Sequence, residues 1–530
     1  MAARYWVTTG TTGGTGNWSD TQNWSATSGG TAGASAPGSS DTANFNANSG
    51  SGTATVDSNV TIQTLTCTGF TGTLAFGTNT ISLNSTGTIF TGATTMTVTG
   101  TPLIICTNSS ATARTISPQV VTEANSISFR VTAGTGGFTV TTTHAVRDLD
   151  FTDGTNPTGF AGAYGNVSNT IYGSFKASTG MTRTAGTGTL TFAATSGTKT
   201  IDTAGVTFDC PFTFNGVGGT FQLAAALTSG ATRTCTLTNG TLDLAGYTLT
   251  TGLFNSNNSN TRTLAFGSTG KIVLTGTSGI IFTTGTFTNL TVTGTSLVQA
   301  TSGGAGTRTV TLGTGAISEA NSINFEITSG SDIVSLAGTG GAARSVNFTG
   351  FTGTIDIPNT KTIYGSWNSG SATTYSGSAT ITFAATSGSQ TIQSGGLTWG
   401  SSLVFNGVGG TWACQDALTL GSTLTLTLTN GTLQLKSGAT STVGAFATSG
   451  TNQKYLQSTT PGIQATLSQA SGTVSVSYLT IQDINATGGA TWQSFITNQN
   501  VDGGDNTGWD FYAQIGKSIY TRRKTKRWFL

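Results

Sequence analysis

The sequence holds a single histidine, His144, and it stands in a dense run of ionisable side chains: His144, Arg147, Asp148, Asp150 and Asp153. Glycoside hydrolysis needs two carboxyl groups about 5–9.5 Å apart. On a β-strand, Asp148 and Asp150 point to the same face roughly 7 Å apart, so a dyad is geometrically feasible. Against a catalytic role stands a second stretch, Arg344-Ser-Val-Asn-Phe-Thr-Gly350, which repeats the pattern without any of the three acids. The cluster is therefore dispensable for folding, and is either a unique site or a solvated corner. Abundant serine beside one histidine is no sign of Ser-His-Asp chemistry, because a triad is recognised by geometry. Glycine runs such as Gly216-Val-Gly-Gly219 lack the lysine and helix of a phosphate loop and read as turns. The expectation is a chain that is not an enzyme, with Asp148, Asp150, Asp153 and His144 as the only catalytic candidates.

The five cysteines, Cys67, Cys106, Cys210, Cys235 and Cys414, are odd in number and have no CxxC spacing. They indicate neither a disulfide framework nor a metal site, and no cofactor is expected. They read as small buried hydrophobes made in a reducing compartment. The segment Lys517–Leu530 holds six of the 21 basic residues and no acid, which leaves 15 basic against 19 acidic in the rest. Arg522, Arg523, Lys524, Lys526 and Arg527 lead into Trp528, Phe529 and Leu530, an apolar tip suited to docking on an acidic protein surface. The body lacks clustered Lys and Arg, so nucleic acid is not an expected partner. Six of the nine tryptophans lie near the ends: Trp6, Trp18, Trp24, Trp492, Trp509 and Trp528. They read as capping cores or as contact surfaces for assembly, and the two uses can coexist.

The elements that position these residues follow from composition and pattern. Of 530 residues, 76 are Gly, 7 are Pro and 8% are charged, against about 25% charged in an average domain. Thr is roughly a fifth of the chain, so hydroxyl and amide groups must solvate the surface. Disordered chains are rich in charge and Pro and poor in aromatic residues, whereas this chain carries 27 Phe and 9 Trp. No stretch approaches 18 apolar residues, so no helical membrane insertion is expected. The first ten residues have no apolar h-region, which counts against a secreted precursor.

A long duplication organises the middle. Glu123-Ala-Asn-Ser-Ile-Ser-Phe129 returns as Glu319-Ala-Asn-Ser-Ile-Asn-Phe325, and Thr170-Ile-Tyr-Gly-Ser174 as Thr362-Ile-Tyr-Gly-Ser366. Phe214-Asn-Gly-Val-Gly-Gly-Thr220 returns as Phe405-Asn-Gly-Val-Gly-Gly-Thr411, 191 residues later. Between these anchors lie short alternating runs such as Thr189-Leu-Thr-Phe192 and Thr423-Leu-Thr-Leu-Thr-Leu428, bounded by Gly, Asn or Ser. Period-two alternation over three to six residues is the half-buried strand signal, and no stretch carries a capped helical stripe. Asn-Gly pairs at 215–216, 239–240, 406–407 and 430–431 are expected to supply positive φ at corners. Such short strands fit an all-β fold, a parallel β-helix or β-solenoid rod, better than a sandwich or propeller. With about 20–25 residues per coil, each unit of the duplication would hold about eight or nine coils. The organisation reads as an N-terminal cap (1–60), two tandem solenoid units (61–263 and 264–455) and a C-terminal β cap with its basic-aromatic tail (456–530).

The ends carry a resemblance. Arg4-Tyr-Trp-Val7, Gly16-Asn-Trp-Ser-Asp20 and Asn23-Trp-Ser25, with Asn500-Val-Asp-Gly-Gly-Asp-Asn-Thr-Gly-Trp509, resemble the terminal signatures of Gly/Thr/Ser-rich β-solenoid virion proteins of tailed bacteriophages. These motifs cover about 40 residues, while the composition and repeat style extend over the whole chain. The resemblance implies a tail fibre or tailspike-like virion component assembled in the host cytoplasm. It also implies a homotrimer that contacts other virion proteins and a host surface glycan. A head fibre or capsid decoration protein, a bacterial surface adhesin and a polysaccharide depolymerase remain as alternatives. Trp6, Trp18, Trp24, Trp509 and the segment from Arg522 to Phe529 are the residues expected to carry assembly.

Overall fold

The computed structural model describes residues 2–7, 13–155, 157–304, 306–314 and 317–512. The basic-aromatic tail, with Arg522, Arg523, Lys524, Lys526, Arg527, Trp528 and Phe529, lies outside the described residues. The fold is 47% strand and 3% helix, with parallel stacked coils forming a β-solenoid of about 20 turns. Its helical turns are three-residue 3-10 turns such as Glu123–Asn125 and Glu319–Asn321, which occupy matching corners of the duplication. Contacts divide the chain into two units, Met1–Gly341 and Ala342–Leu530. The boundaries drawn from the duplication fall inside strands: 60/61 within Val60–Ile62, 263/264 within Arg262–Ala265 and 455/456 within Lys454–Ser458. In a solenoid each coil touches chiefly its neighbours, so a repeat in sequence need leave no seam in packing.

The first unit shows how alternation becomes a wall. Six strands stack in parallel on one face: β1 (Thr80–Leu83), β2 (Leu103–Cys106), β3 (Ser128–Val131), β4 (Leu149–Asp150), β5 (Phe175–Lys176) and β6 (Thr198–Asp202). Their register places Ile81, Ile104, Phe129, Leu149, Phe175 and Ile201 in one inward column, each fully or almost fully buried. From Ile104 onward these successive residues are 25, 20, 26 and 26 positions apart. Burying each contributes about 1.5–3 kcal/mol, and the neighbours in each strand are thereby turned outward. Two outward columns result, and they hold the candidate site.

The longest strands carry the duplicated Asn-Gly segments. β7 (Phe212–Leu223) pairs with β8 (Thr234–Asp243), and in the second unit β9 (Leu403–Cys414) pairs with β10 (Thr425–Leu435). β7 and β9 share one burial pattern, residue for residue. Gly240 and Gly431 take the expected positive φ, at 74° and 78°. Gly216 and Gly407 do not; there a Cβ would collide with the carbonyl oxygen of Ala194 or Ala385 on the coil beneath. The positive φ of those loops is taken by Gly218 and Gly409 instead. Close approach of backbone, rather than handedness, is what glycine supplies at two of the four pairs.

The N-terminal end is sealed by its own aromatics. The strand Ala3–Trp6 lies between a parallel neighbour, Thr42–Asn44, and an antiparallel one, Trp24–Ser25, so its edge is covered. Trp6, Trp18 and Trp24 are almost completely buried, with Trp18 and Trp24 ring centroids 4.9 Å apart and Trp6 stacked on Phe45 at 5.5 Å. Trp6 Nε1 donates to the Gly14 carbonyl at 2.8 Å and Trp24 Nε1 to that of Trp18 at 2.7 Å. Of the two uses read from the sequence, the capping core is the one these burials show: this chain's own side chains cover the three tryptophans. All five cysteines are free and buried, and burial pushes the thiols of Cys67, Cys106 and Cys414 up to about 12.

Candidate functional site

A groove of about 480 Å³ opens on the outward face of β1 to β5 in the first unit. Its lining includes Arg130, Arg147, Asp148, Asp150 and Lys176, together with hydroxyl side chains of which Ser128 and Ser174 are two. The coil register brings these together. One outward column runs Thr80, Leu103, Ser128, Asp148, Ser174, and the next runs Ser82, Ile105, Arg130, Asp150, Lys176, Asp202. In a chain with 8% charged residues, four successive coils thus present alternating charge at adjacent positions, about 4.8 Å apart.

Each carboxylate already has partners. Asp150 forms an ion pair with Arg130, Nε to Oδ2 at 3.0 Å, and its Oδ1 accepts from the backbone N–H and hydroxyl of Thr152 at 2.9 and 2.7 Å. Asp148 accepts from the Ser128 hydroxyl at 2.7 Å and from the Ser174 N–H at 2.6 Å. Arg147 donates to the carbonyls of Glu123 and Ala124, both at 3.2 Å. The Lys176 side chain is exposed and forms no ion pair or hydrogen bond among the described residues, while its carbonyl accepts from the Phe151 N–H at 2.8 Å. The five charges of the lining sum to +1; Arg147 meets carbonyls rather than a carboxylate, and Lys176 stands between Asp150 and Asp202 in its column without an ion pair among the described residues.

The four residues singled out in the sequence are only partly united. Asp148 and Asp150 share the groove, whereas Asp153 and His144 are outside its lining. Asp153 closes a local turn, accepting from the N–H and hydroxyl of Thr155 at 2.9 and 3.1 Å. His144 Nδ1 accepts from the Gln119 N–H at 3.2 Å, and partial burial holds its pKa below the ordinary value. Arg130, Lys176 and Ser174 escaped the reading of the sequence because 20 and 26 residues separate the neighbours across coils.

The second unit repeats the backbone of this site with both aspartates and the lysine replaced, while Arg344 keeps the place of Arg147. Ser345 stands where Asp148 does, and its hydroxyl accepts from the Ser366 N–H at 3.1 Å, as Asp148 accepts from Ser174. Asn347 replaces Asp150, and its Oδ1 accepts from the N–H and hydroxyl of Thr349 at 3.0 and 2.7 Å. The column continues through Asn368 and Gln393, where the first unit has Lys176 and Asp202. Amides and a hydroxyl satisfy the same backbone groups, so folding does not require the charges.

At the C-terminal end, Trp492 and Trp509 meet at 4.9 Å, with Trp492 buried and Trp509 half-buried. Nearby in sequence, Ile496, Val501 and Tyr512 are exposed. No described helix is long and apolar enough to cross a membrane, and no described group of three or more His, Cys, Asp or Glu is placed to hold a metal ion. Comparison with protein-family models, with curated proteins and with solved structures finds no match to this chain.

Proposed function

We propose that this chain is a bacteriophage virion protein, a tail fibre or spike-like component that supports host attachment and is not an enzyme. The observation that carries the reading is the use of surface in each unit. Parallel coils present hydroxyl and amide ladders with little charge, and the N-terminal end is closed by its own tryptophans. Such a stack saturates its backbone hydrogen bonds coil by coil, which suits a particle component exposed outside the cell. The terminal motifs around Trp6, Trp18, Trp24 and Trp509 support the same reading through their resemblance to phage solenoids.

Assembly is assigned to the C-terminal end. Ile496, Val501 and Tyr512 are the apolar side chains left uncovered there, and the basic segment Arg522–Arg527 follows in sequence. In this reading three copies associate and that end docks on an acidic surface of another virion protein, an attraction that salt weakens. Hydrolysis of a host glycan has less support, because both carboxylates of the groove are engaged by Arg130, Ser128 and Ser174.

Immunogold labelling of purified particles tests the assignment, with deletion of residues 517–530 as the companion variant. Label on the particle, and a truncated chain that keeps its β circular dichroism but no longer enters particles, are the expected results. Unlabelled particles, or normal incorporation of the truncated chain, would overturn it.

A further inference from the structure

We infer that the groove over β1 to β5 binds a linear acidic saccharide, with Lys176 as the anchor for a sugar carboxylate. The inference rests on the attachment role proposed above and names the ligand class for it. Three observations carry it. First, the charges of Asp148, Asp150 and Lys176 are unnecessary for the fold, since Ser345, Asn347 and Asn368 build the equivalent coils without them. Charge kept where folding does not ask for it has another use.

Second, the electrostatics select the sign of the ligand. The Arg130–Asp150 pair is closed and Asp148 is held by two donors, while the Lys176 ammonium in the groove lining has no ion pair among the described residues, although Asp202 follows it in the column. A ligand carboxylate placed there completes a charge-assisted pair, and salt should weaken it because Lys176 is exposed. Third, polar groups stand on four of five successive coils along the stacking direction, with Leu103 on the remaining one. Thr80, Ser128, Asp148 and Ser174 lie in one column spanning five coils, about 19 Å from first to last. A row of acceptors and hydroxyls with that period matches the hydroxyls of an extended polymer better than those of a compact metabolite. The volume of about 480 Å³ is in the range of small-ligand sites.

The test uses the full chain and fluorescein-labelled oligogalacturonate, with maltoheptaose as the neutral probe, followed by anisotropy at low and at moderate salt. Oligogalacturonate should bind at least about tenfold more tightly than maltoheptaose and weaken as salt rises. Lys176→Asn, which installs the second unit's residue, should weaken it by about tenfold or more with an unchanged melting curve. Lys199→Gln, a change of equal charge outside the groove lining that also copies the second unit, should bind as the unmodified chain does. Equal binding of the two probes, no binding of oligogalacturonate, or equal losses from Lys176→Asn and Lys199→Gln would overturn the inference. The immunogold experiment reads separately: unlabelled particles with intact oligogalacturonate binding would remove the virion assignment and leave the groove's ligand standing.

Discussion

Asn430 donates its side-chain N–H to Oδ1 of Asn406 on the preceding coil at 2.7 Å. The first unit repeats the bond between Asn239 and Asn215, also at 2.7 Å. In the second unit the ladder continues, because Asn452 donates to Asn430 Oδ1 at 2.8 Å. Asn430→Ala therefore breaks two bonds and Asn239→Ala one. With about 0.5–1.5 kcal/mol for each, the Asn430 variant should be the more destabilised of the two. Urea unfolding of the two variants checks the ranking; equal losses would show that the extra rung contributes nothing.

Buried cations staple the corners of the coils. Arg262 donates from Nε to the Ser256 hydroxyl at 2.6 Å and from its two Nη groups to five carbonyls, that of Thr286 at 2.6 Å among them. Its side chain is fully buried, and burial lowers its pKa. Removing it leaves those carbonyls without their donor, so Arg262→Ala should cost about 3–5 kcal/mol. Arg233, in the same Thr-Arg-Thr context, pairs with Asp209 at 2.6 Å in a partly exposed setting. Arg233→Ala should cost far less, because an ion pair open to solvent contributes little. Thermal unfolding of the pair measures the contrast.

His144 gives a pH dependence of known sign. Burial holds its folded pKa below the ordinary histidine value of about 6.5, and Nδ1 accepts from the Gln119 N–H. Between the folded and unfolded values the unfolded chain binds more protons, so stability rises with pH there and is lost as pH falls below about 6.5. As the chain's only imidazole, it should titrate in NMR with one midpoint under that value. His144→Gln should flatten this component of the pH–stability profile.

The N-terminal cap predicts a local effect. Trp24 is fully buried against Trp6, Trp18 and Phe45. Trp24→Ala should cost about 3–5 kcal/mol, felt mainly in the first coils because each coil contacts chiefly its neighbours. Hydrogen exchange should accelerate in Ala3–Trp6 and Thr42–Asn44 and stay unchanged in Leu403–Cys414. Uniform acceleration would mean that the units open together.

Much of the fold is legible in local pattern. The alternation in Thr189-Leu-Thr-Phe192 and the recurrence of Phe-Asn-Gly-Val-Gly-Gly-Thr specify strand, corner and repeat, because period-two alternation and glycine corners act over a few residues. The Asn-Gly pairs marked the right corners, although Gly216 and Gly407 are there for close backbone approach rather than positive φ. The tryptophans near the N-terminus were visible as a group, yet whether they face a partner or their own core depends on what folds over them. Asp148 and Asp150 were visible as a pair because they are two residues apart on one strand.

Arg130 and Lys176 became part of the site only through stacking. They lie 20 residues before and 26 after Asp150, and insertions at corners change the coil length from one turn to the next. Local alternation decides which side chains point outward. Which outward side chains become neighbours is decided by the register of parallel coils, a sum over every corner between them, and only the folded chain performs that sum.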